Sequence, residues 1–334
     1  MQIFQHPRVA TLPLVKRCTD SCVGGVVGVQ YAYMKTALRV ASAPVFGLSM
    51  QKLRAYWLLS KPRVTLLVWL TTVAGLVLGG WGQTLPSGLI AATLIGSWLV
   101  IASANALNQA IEWRRDAQMP RTALRPVPSG MLSPLEGWVV GVVWGVLGVL
   151  ILAVWVNGAA AWLGAVSILL YAFAYTPLKP RTHFSTAIGA IPGAIPPMAG
   201  WVAVQGGFSL EAWLLFALQF VWQFPHFWAI AWLYRDDYAR AGFRMLPYPD
   251  ASAVATARLA LGYTLAMVAI SLMFAPFVTH RWLYLLGALT LGFWATHAAL
   301  RFLKSPDPTR GARGVLRSSV LYLPLLLLWM ILSL

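Results

Sequence analysis

Apolar residues in this chain run in long blocks, and the charged residues mark the breaks between them. Residues 64–111 contain no Asp, Glu, Lys or Arg, and neither do residues 137–178, 182–210, 212–234, 259–280, 282–300 or 318–334. A helix needs about 20 mostly apolar residues to cross the hydrocarbon of a bilayer. The first two blocks, 48 and 42 residues long, are too long for one span. Each is interrupted by turn formers: Gly82, Gln83, Pro86, Ser87 and Gly88 in the first, Asn157 and Gly158 in the second. Each therefore holds two helices and the other five blocks hold one. The pattern predicts an all-α, polytopic membrane protein of nine transmembrane helices.

Composition agrees. The chain is 59% apolar and 10% charged, whereas a soluble domain carries about 25% charged residues. Its 17 Trp, 14 Phe and 11 Tyr exclude a disordered chain. The net charge of +16 would ordinarily suggest nucleic acid, but topology explains it better. With the N-terminus inside, the inner segments are 1–63, 112–136, 179–181, 235–258 and 301–317, and they hold 24 of the 25 Lys and Arg. Only Arg281 lies outside. This is the positive-inside rule, and no nucleic-acid partner is needed to account for the charge. The expected setting is a bacterial cytoplasmic (inner) membrane, with a cytoplasmic N-terminus and the C-terminus on the outer side.

Residues 1–49 contain one acidic residue, Asp20, and no convincing tenth span. They are expected to be a poorly organised extension, a targeting peptide, an amphipathic surface segment or sequence upstream of the true start, with Met34 and Met50 as alternative starts. Organised sequence is expected over residues 50–334. Cys18 and Cys22 have no neighbouring ligands to complete a metal site and are read as bystanders.

Six of the nine acidic residues, Glu112, Asp116, Glu136, Asp236, Asp237 and Asp250, fall in two inner segments. In the first, Asn108, Glu112 and Asp116 are four residues apart at the inner end of the second span. Four residues turn a helix by about 400°, so each step drifts only about 40° while rising about 6 Å. The three oxygen-bearing side chains form one stripe. Such a stripe suits Mg²⁺, which is usually held by one or two carboxylates plus substrate phosphates, and Arg114, Arg115, Arg121 and Arg125 stand ready for phosphate oxygens. The same spacing also describes a solvated helix end whose Glu and Arg pair with one another.

The second cluster follows the sixth span: Trp222-Gln223-Phe224-Pro225-His226-Phe227, then Arg235-Asp236-Asp237-Tyr238. On an unbroken helix His226 would share a face with Asp237, about 16 Å deeper in the membrane. A histidine inside a span is a functional candidate, with a hydrogen bond to a neighbouring helix as the plainer alternative. A third inner segment, Tyr175-Thr176-Pro177-Leu178-Lys179, leads into a span carrying Pro192, Pro196 and Pro197. That span is expected to kink or break, and its Gly189 and Gly193 to permit close helix contact.

Together these segments resemble a known family. Asn108-x-x-x-Glu112-x-x-x-Asp116-x-x-Met119-x-Arg121-Thr122-x-x-Arg125-Pro126 is similar to the first metal-binding motif of the UbiA-type intramembrane prenyltransferases. Within them, Tyr175 to Lys179, the proline-rich span, Trp222-Gln223-x-Pro225-His226-Phe227 and Arg235-x-Asp237-Tyr238-x-x-x-Gly242 resemble the haem O synthase (protohaem farnesyltransferase) branch. The resemblance covers the chain from about Leu53 to its end. It implies a bundle of nine helices around a central cavity. The implied reaction transfers the farnesyl group of farnesyl diphosphate to a vinyl group of haem b with addition of water.

The resemblance further implies Mg²⁺ held by Asn108, Glu112, Asp116 and Asp237. Arg121, Arg125, Lys179, Arg235, Tyr175 and Gln223 are the implied substrate-binding residues, and His226 a catalytic-site residue. It also admits contact with the enzyme that consumes haem O. Where the wider superfamily often carries a second Asp-x-x-x-Asp, Asp237 is followed four residues later by Ala241. That favours the haem branch and leaves the metal ligand open between Asp236 and Asp237. The alternatives are a quinone-type aromatic prenyltransferase and, in another class, a polytopic transporter or haem carrier.

Overall fold

The computed structural model describes residues 49–247 and 252–334. The expected N-terminal extension and Asp250 of the second acidic segment lie outside the described residues. Among those described there is no strand, and nine helices are long and apolar enough to cross a membrane. They are α2 (Pro62–Gly79), α3 (Ser87–Asp116), α4 (Pro134–Trp155), α5 (Gly158–Leu169, continued to Leu178), α6 (Ser185–Gln205), α7 (Leu210–Leu233), α9 (Ala253–Leu272), α10 (Arg281–Lys304) and α11 (Pro308–Leu332). Two short helices, α1 (Met50–Leu59) and α8 (Arg235–Arg240), flank them.

The bundle buries polar side chains among its apolar core and exposes large apolar ones on its outer faces. Thr65, Ser103, Asn105, Gln109 and Gln219 are buried, while Leu135, Trp282, Leu286 and Phe293 are exposed. Lipid tails are as apolar as leucine, so burying leucine gains little, and helix association relies on close packing and interhelical hydrogen bonds. Gly200 illustrates the packing: a Cβ there would fall inside the Thr72 carbonyl of α2. The hydrogen bonds tie matching helix ends together. At one end Gln205 Nε2 donates to Gly79 O at 2.6 Å, Asn157 Nδ2 to Val202 O at 3.0 Å, and His280 N to Ser333 O at 2.9 Å. These join the short, nearly uncharged connections, as the alternation of nine spans demands.

Three elements differ from the sequence expectation. The last helix starts at Pro308 rather than near residue 318, because Asp307 caps it by accepting from the Thr309 and Arg310 amides. Its Arg310, Arg313 and Arg317 are exposed, so a gap between charges marks the apolar stretch and not the helix end. The proline-rich span does not break: α6 is continuous through Pro192, Pro196 and Pro197. Pro196 and Pro197 strip the helical donors from the Pro192 and Gly193 carbonyls. Ser167 Oγ (3.5 Å) and Gln219 Nε2 (3.0 Å) from neighbouring helices donate to them instead.

The third difference lies in α7, which runs through Pro225 but ends at Leu233. Tyr234 (φ −115°, ψ 24°) then starts the separate helix α8. His226 and Asp237 therefore do not share one helix face. His226 lies seven residues, about 10 Å, inside the end of α7.

Candidate active site

Four chain segments meet at the end of the bundle opposite those tethers: the α1–α2 corner, the C-terminal end of α3, the C-terminal end of the fourth span, and α8 with the residues after it. The α3 stripe forms as its spacing predicts. Asn108, Glu112 and Asp116 are all buried on one helix face. Asn108 Nδ2 donates to Glu112 Oε2 at 2.8 Å and to Thr176 Oγ1 at 3.1 Å.

Each oxygen-bearing residue of the stripe also holds a cation. Lys61 Nζ donates to Asn108 Oδ1 at 2.8 Å, Lys179 Nζ to Glu112 Oε2 at 2.9 Å, and Arg125 Nη1 to Asp116 Oδ2 at 2.7 Å. Glu112 Oε1 is buried with no hydrogen-bond partner among the described residues. A buried carboxylate oxygen in that position is costly unless something pairs with it.

Lys61 is the residue that the sequence reading passed over, having counted it only as a topological charge. Its backbone is left-handed (φ 52°, ψ 62°), the one non-glycine with positive φ among the described residues. This conformation is unfavourable for an L-residue. The corner is held from α3: Gln109 Nε2 donates to Leu59 O at 2.8 Å, and Asn105 Nδ2 to Ser60 O at 3.3 Å and Thr65 Oγ1 at 3.0 Å. The surrounding contacts hold this outlier from both sides and aim it at the polar cluster. The signal in the sequence was a lone Lys61-Pro62-Arg63 at the mouth of the first span.

The two lysines differ electrostatically. Burial pushes the Lys61 ammonium well below the usual lysine range, and Arg125 and Lys179 push it further down against the opposing pull of Asp116 and Glu112. Burial is the largest single influence on Lys179 and opposes its charge, but Glu112, Tyr175 and Tyr171 together outweigh it and hold that lysine above its ordinary value. The cause is the partner: Lys179 pairs with a carboxylate, Lys61 with a neutral amide.

Lys179 is aimed by the end of the fourth span. Pro177 has no N–H to donate, and the helix ahead of it widens into a π-helical turn, Leu170–Tyr175, in which Thr176 N donates to Tyr171 O. Thr176 Oγ1 also donates to Tyr171 O at 2.8 Å, which leaves its lone pairs for Asn108. Lys179 Nζ sits 4.5 Å from the Tyr175 ring centroid and 5.7 Å from that of Phe243. The Tyr175 ring fills the space where a Cβ on Gly189 would lie. Gly189 and Gly193 thus admit side chains from neighbouring elements, Tyr175 and Gln223, rather than a helix backbone.

The other candidates are placed differently. Arg121 donates to Tyr238 Oη at 2.6 Å and lies over the Tyr234 and Tyr238 rings, which joins the loop after α3 to α8. Met119 packs with Ala241, Phe243 and Met245 beneath that joint. Asp237 is paired with Arg240, and its side chain is 19% exposed against 80% for Asp236. Arg235 stands apart, folded over Trp232 and 3.8 Å from Asp236. Gln223 is buried between helices, its Nε2 donating to Ala190 O (3.0 Å) and Gln219 O (3.1 Å). Its amide nitrogen is thus engaged within the helix packing. His226 is also away from the mouth, with Nδ1 2.9 Å from Ser319 Oγ of α11 and its ring stacked on Trp222.

Among the described residues no three His, Cys, Asp or Glu side chains gather into a metal cluster. What the mouth offers is a half-shell of two carboxylates and an amide, ringed by cations.

Comparison with known proteins places the chain in a family. The chain is 43% identical over 282 residues to a protein from Solibacter usitatus named protoheme IX farnesyltransferase, covering 82% of this chain and 96% of that protein. It is 40% identical over 275 residues to a protein of the same name from Gloeobacter violaceus, covering 82% and 90%. In fold it is similar to a digeranylgeranylglyceryl phosphate synthase structure, with a TM-score of 0.70 and 17% identity, over 85% of this chain and 99% of that one. It is also similar to a UbiA homolog from Archaeoglobus fulgidus bound to GPP and Mg²⁺, with a TM-score of 0.54 and 12% identity, over 83% and 99%. Residues 68–329 match the UbiA prenyltransferase family, and this chain belongs to it.

Proposed function

We propose that this protein transfers the farnesyl group of farnesyl diphosphate to a vinyl group of haem b, adds water, and releases diphosphate and haem O. The observation that carries the reading is the α3 stripe with its three cations, on a chain whose relatives at 36–43% identity bear the name protoheme IX farnesyltransferase. Membership of a prenyltransferase family sets aside the transporter reading.

The donor set fits Mg²⁺. Asn108, Glu112 and Asp116 supply hard oxygens, the orphaned Glu112 Oε1 is an unfilled ligand, and two carboxylates plus substrate phosphates is a usual magnesium shell. Asp237, more enclosed than Asp236, is the better further ligand. When bound, the ion neutralises charge on the diphosphate leaving group.

The chain's own residues do the rest. Lys61, Lys179 and Arg125 already point their donors into the stripe and need move little to take phosphate oxygens. Arg121 closes the mouth by its bond to Tyr238. Preorganised donors of this kind stabilise the developing charge without reorganisation. As the carbon–oxygen bond of the farnesyl ester breaks, the allylic cation is shielded from bulk water by the bundle. The electron-rich vinyl group attacks it, the resulting benzylic-type cation next to the porphyrin takes up water, and a proton is lost. The basic end of the bundle, and with it the site, faces the cytoplasm under the positive-inside rule.

The test is to incubate the purified chain with haem b, farnesyl diphosphate and Mg²⁺ and separate the haems chromatographically. Haem O is the expected product. Its absence, with prenylation of a quinone precursor in its place, would overturn the reading.

A further inference from the structure

His226 is not used by the diphosphate end of the site, yet it is held with unusual care. Trp222 stacks on its ring, with centroids 4.7 Å apart and planes at 19°. The Trp222 indole N–H donates to the Ser319 carbonyl at 2.7 Å, and the imidazole Nδ1 lies 2.9 Å from the hydroxyl of the same serine. One residue of α11 thus fixes both rings of the α7 pair.

The direction of the His226–Ser319 bond follows from a proton count. Ser319 Oγ is 2.8 Å from the Leu316 carbonyl oxygen. A carbonyl only accepts, and two oxygens at that separation repel unless a proton lies between them. The single hydroxyl proton of Ser319 is therefore committed to Leu316. Its oxygen can only accept from His226, so Nδ1 carries the hydrogen. Nε2 is left unprotonated, with a free lone pair and no hydrogen-bond partner among the described residues.

An imidazole whose one nitrogen donates to a fixed acceptor while the other presents a lone pair is the usual form of a metal-ligating histidine. The geometry points to His226 Nε2 as an axial ligand for the iron of the tetrapyrrole substrate, with Ser319 as the positioning residue that fixes the tautomer. This rests on haem b being the substrate.

It also removes a difficulty of distance. His226 lies about 10 Å inside the end of α7, too deep to touch carbon at the diphosphate. It need not do so. A tetrapyrrole carries its iron at the centre and its vinyl groups at the rim, so iron held at depth lets a vinyl edge reach toward the mouth.

The experiment titrates ferric haem b into the full-length protein in detergent and follows the Soret and charge-transfer bands, with no farnesyl diphosphate present. The wild type is expected to show a histidine-ligated spectrum distinct from haem in the same micelles. His226→Gly should lose it, and imidazole should restore it at concentrations that leave haem in protein-free micelles unligated, while an unchanged thermal melt shows that the variant is folded. Ser319→Ala should weaken haem binding about 10-fold or more, and Ser319→Thr, which keeps a hydroxyl, should bind like the wild type. An unchanged spectrum and affinity in His226→Gly would overturn the ligation, and wild-type binding by Ser319→Ala would overturn the role of the serine. Formation of haem O by the wild type is measured separately. Product formed with an unchanged His226→Gly spectrum defeats the ligation alone, whereas no product defeats the reaction itself.

Discussion

Replacing Lys61 separates its two properties, a strained backbone and a charged tip. Lys61→Gly removes both, because glycine adopts φ 52° freely, whereas Lys61→Met removes the ammonium and keeps the strain. A left-handed L-residue costs roughly 1–2 kcal/mol, part of which glycine returns through its more flexible unfolded chain. Lys61→Gly should therefore be more stable than Lys61→Met by about 1 kcal/mol, or about 2 °C in thermal midpoint for a chain of this size. For substrate, the lost ammonium is a charge-assisted hydrogen bond, worth about 1.5–3 kcal/mol, which is about 10- to 100-fold in affinity. Both variants should then raise the KM for farnesyl diphosphate by about that factor while leaving the KM for haem unchanged. The assay is initial-rate haem O formation with each substrate varied in turn, beside a detergent thermal melt. An unchanged farnesyl diphosphate KM in both variants refutes the argument, because Lys61 would then be a structural corner only. A rise in Lys61→Gly but not in Lys61→Met would assign the effect to the strained corner instead of the charge.

The remaining predictions are briefer. Asp116→Asn keeps the shape and an acceptor for Arg125 but removes a buried negative charge; turnover should be lost with the protein still folded in the membrane, and full activity would remove Asp116 from the site. Gly200→Ala drives a methyl into the Thr72 carbonyl and should destabilise by about 3 kcal/mol or more; Gly262→Ala, in α9 with open space around it, should be neutral or stabilise by up to about 1 kcal/mol in the same melt. Chelating divalent cations should abolish farnesyl transfer, and Mg²⁺ should restore it; transfer that persists in chelator would exclude the metal role of the stripe.

What was legible in the sequence follows from how local each feature is. The spans could be counted because a charge in hydrocarbon is expensive, so charges punctuate the helices. The Asn108-Glu112-Asp116 stripe could be read because four-residue spacing lies within one helix. The behaviour of α6 could not, because the groups that relieve its prolines, Ser167 and Gln219, come from other helices. The same limit hid Lys61. Its direction depends on a corner held by Asn105 and Gln109, 44 and 48 positions further along by their numbering, and the pairing of His226 with Ser319 spans 93 positions. The contact of Gln223 with α6 was hidden in the same way, since Ala190, whose carbonyl its amide meets, lies 33 positions away.

The arrangement of charge at the mouth then argues for the kind of ligand it receives. Three cations face two carboxylates and an amide, an excess of one positive charge in a buried setting. In a low-dielectric site such an excess is unfavourable by itself, and Lys61, whose charge burial and Arg125 both oppose, is where the cost concentrates. An anion entering between the cations supplies the missing counter-charge. Lys179 and Arg125 have carboxylates to leave behind, but Lys61 leaves only an amide, so Lys61 has most to gain from a phosphate oxygen. Its burial therefore favours a polyanionic headgroup over a neutral one, and its position at the start of α2 sets that headgroup at the bundle end, with the apolar prenyl chain directed inward along the helices.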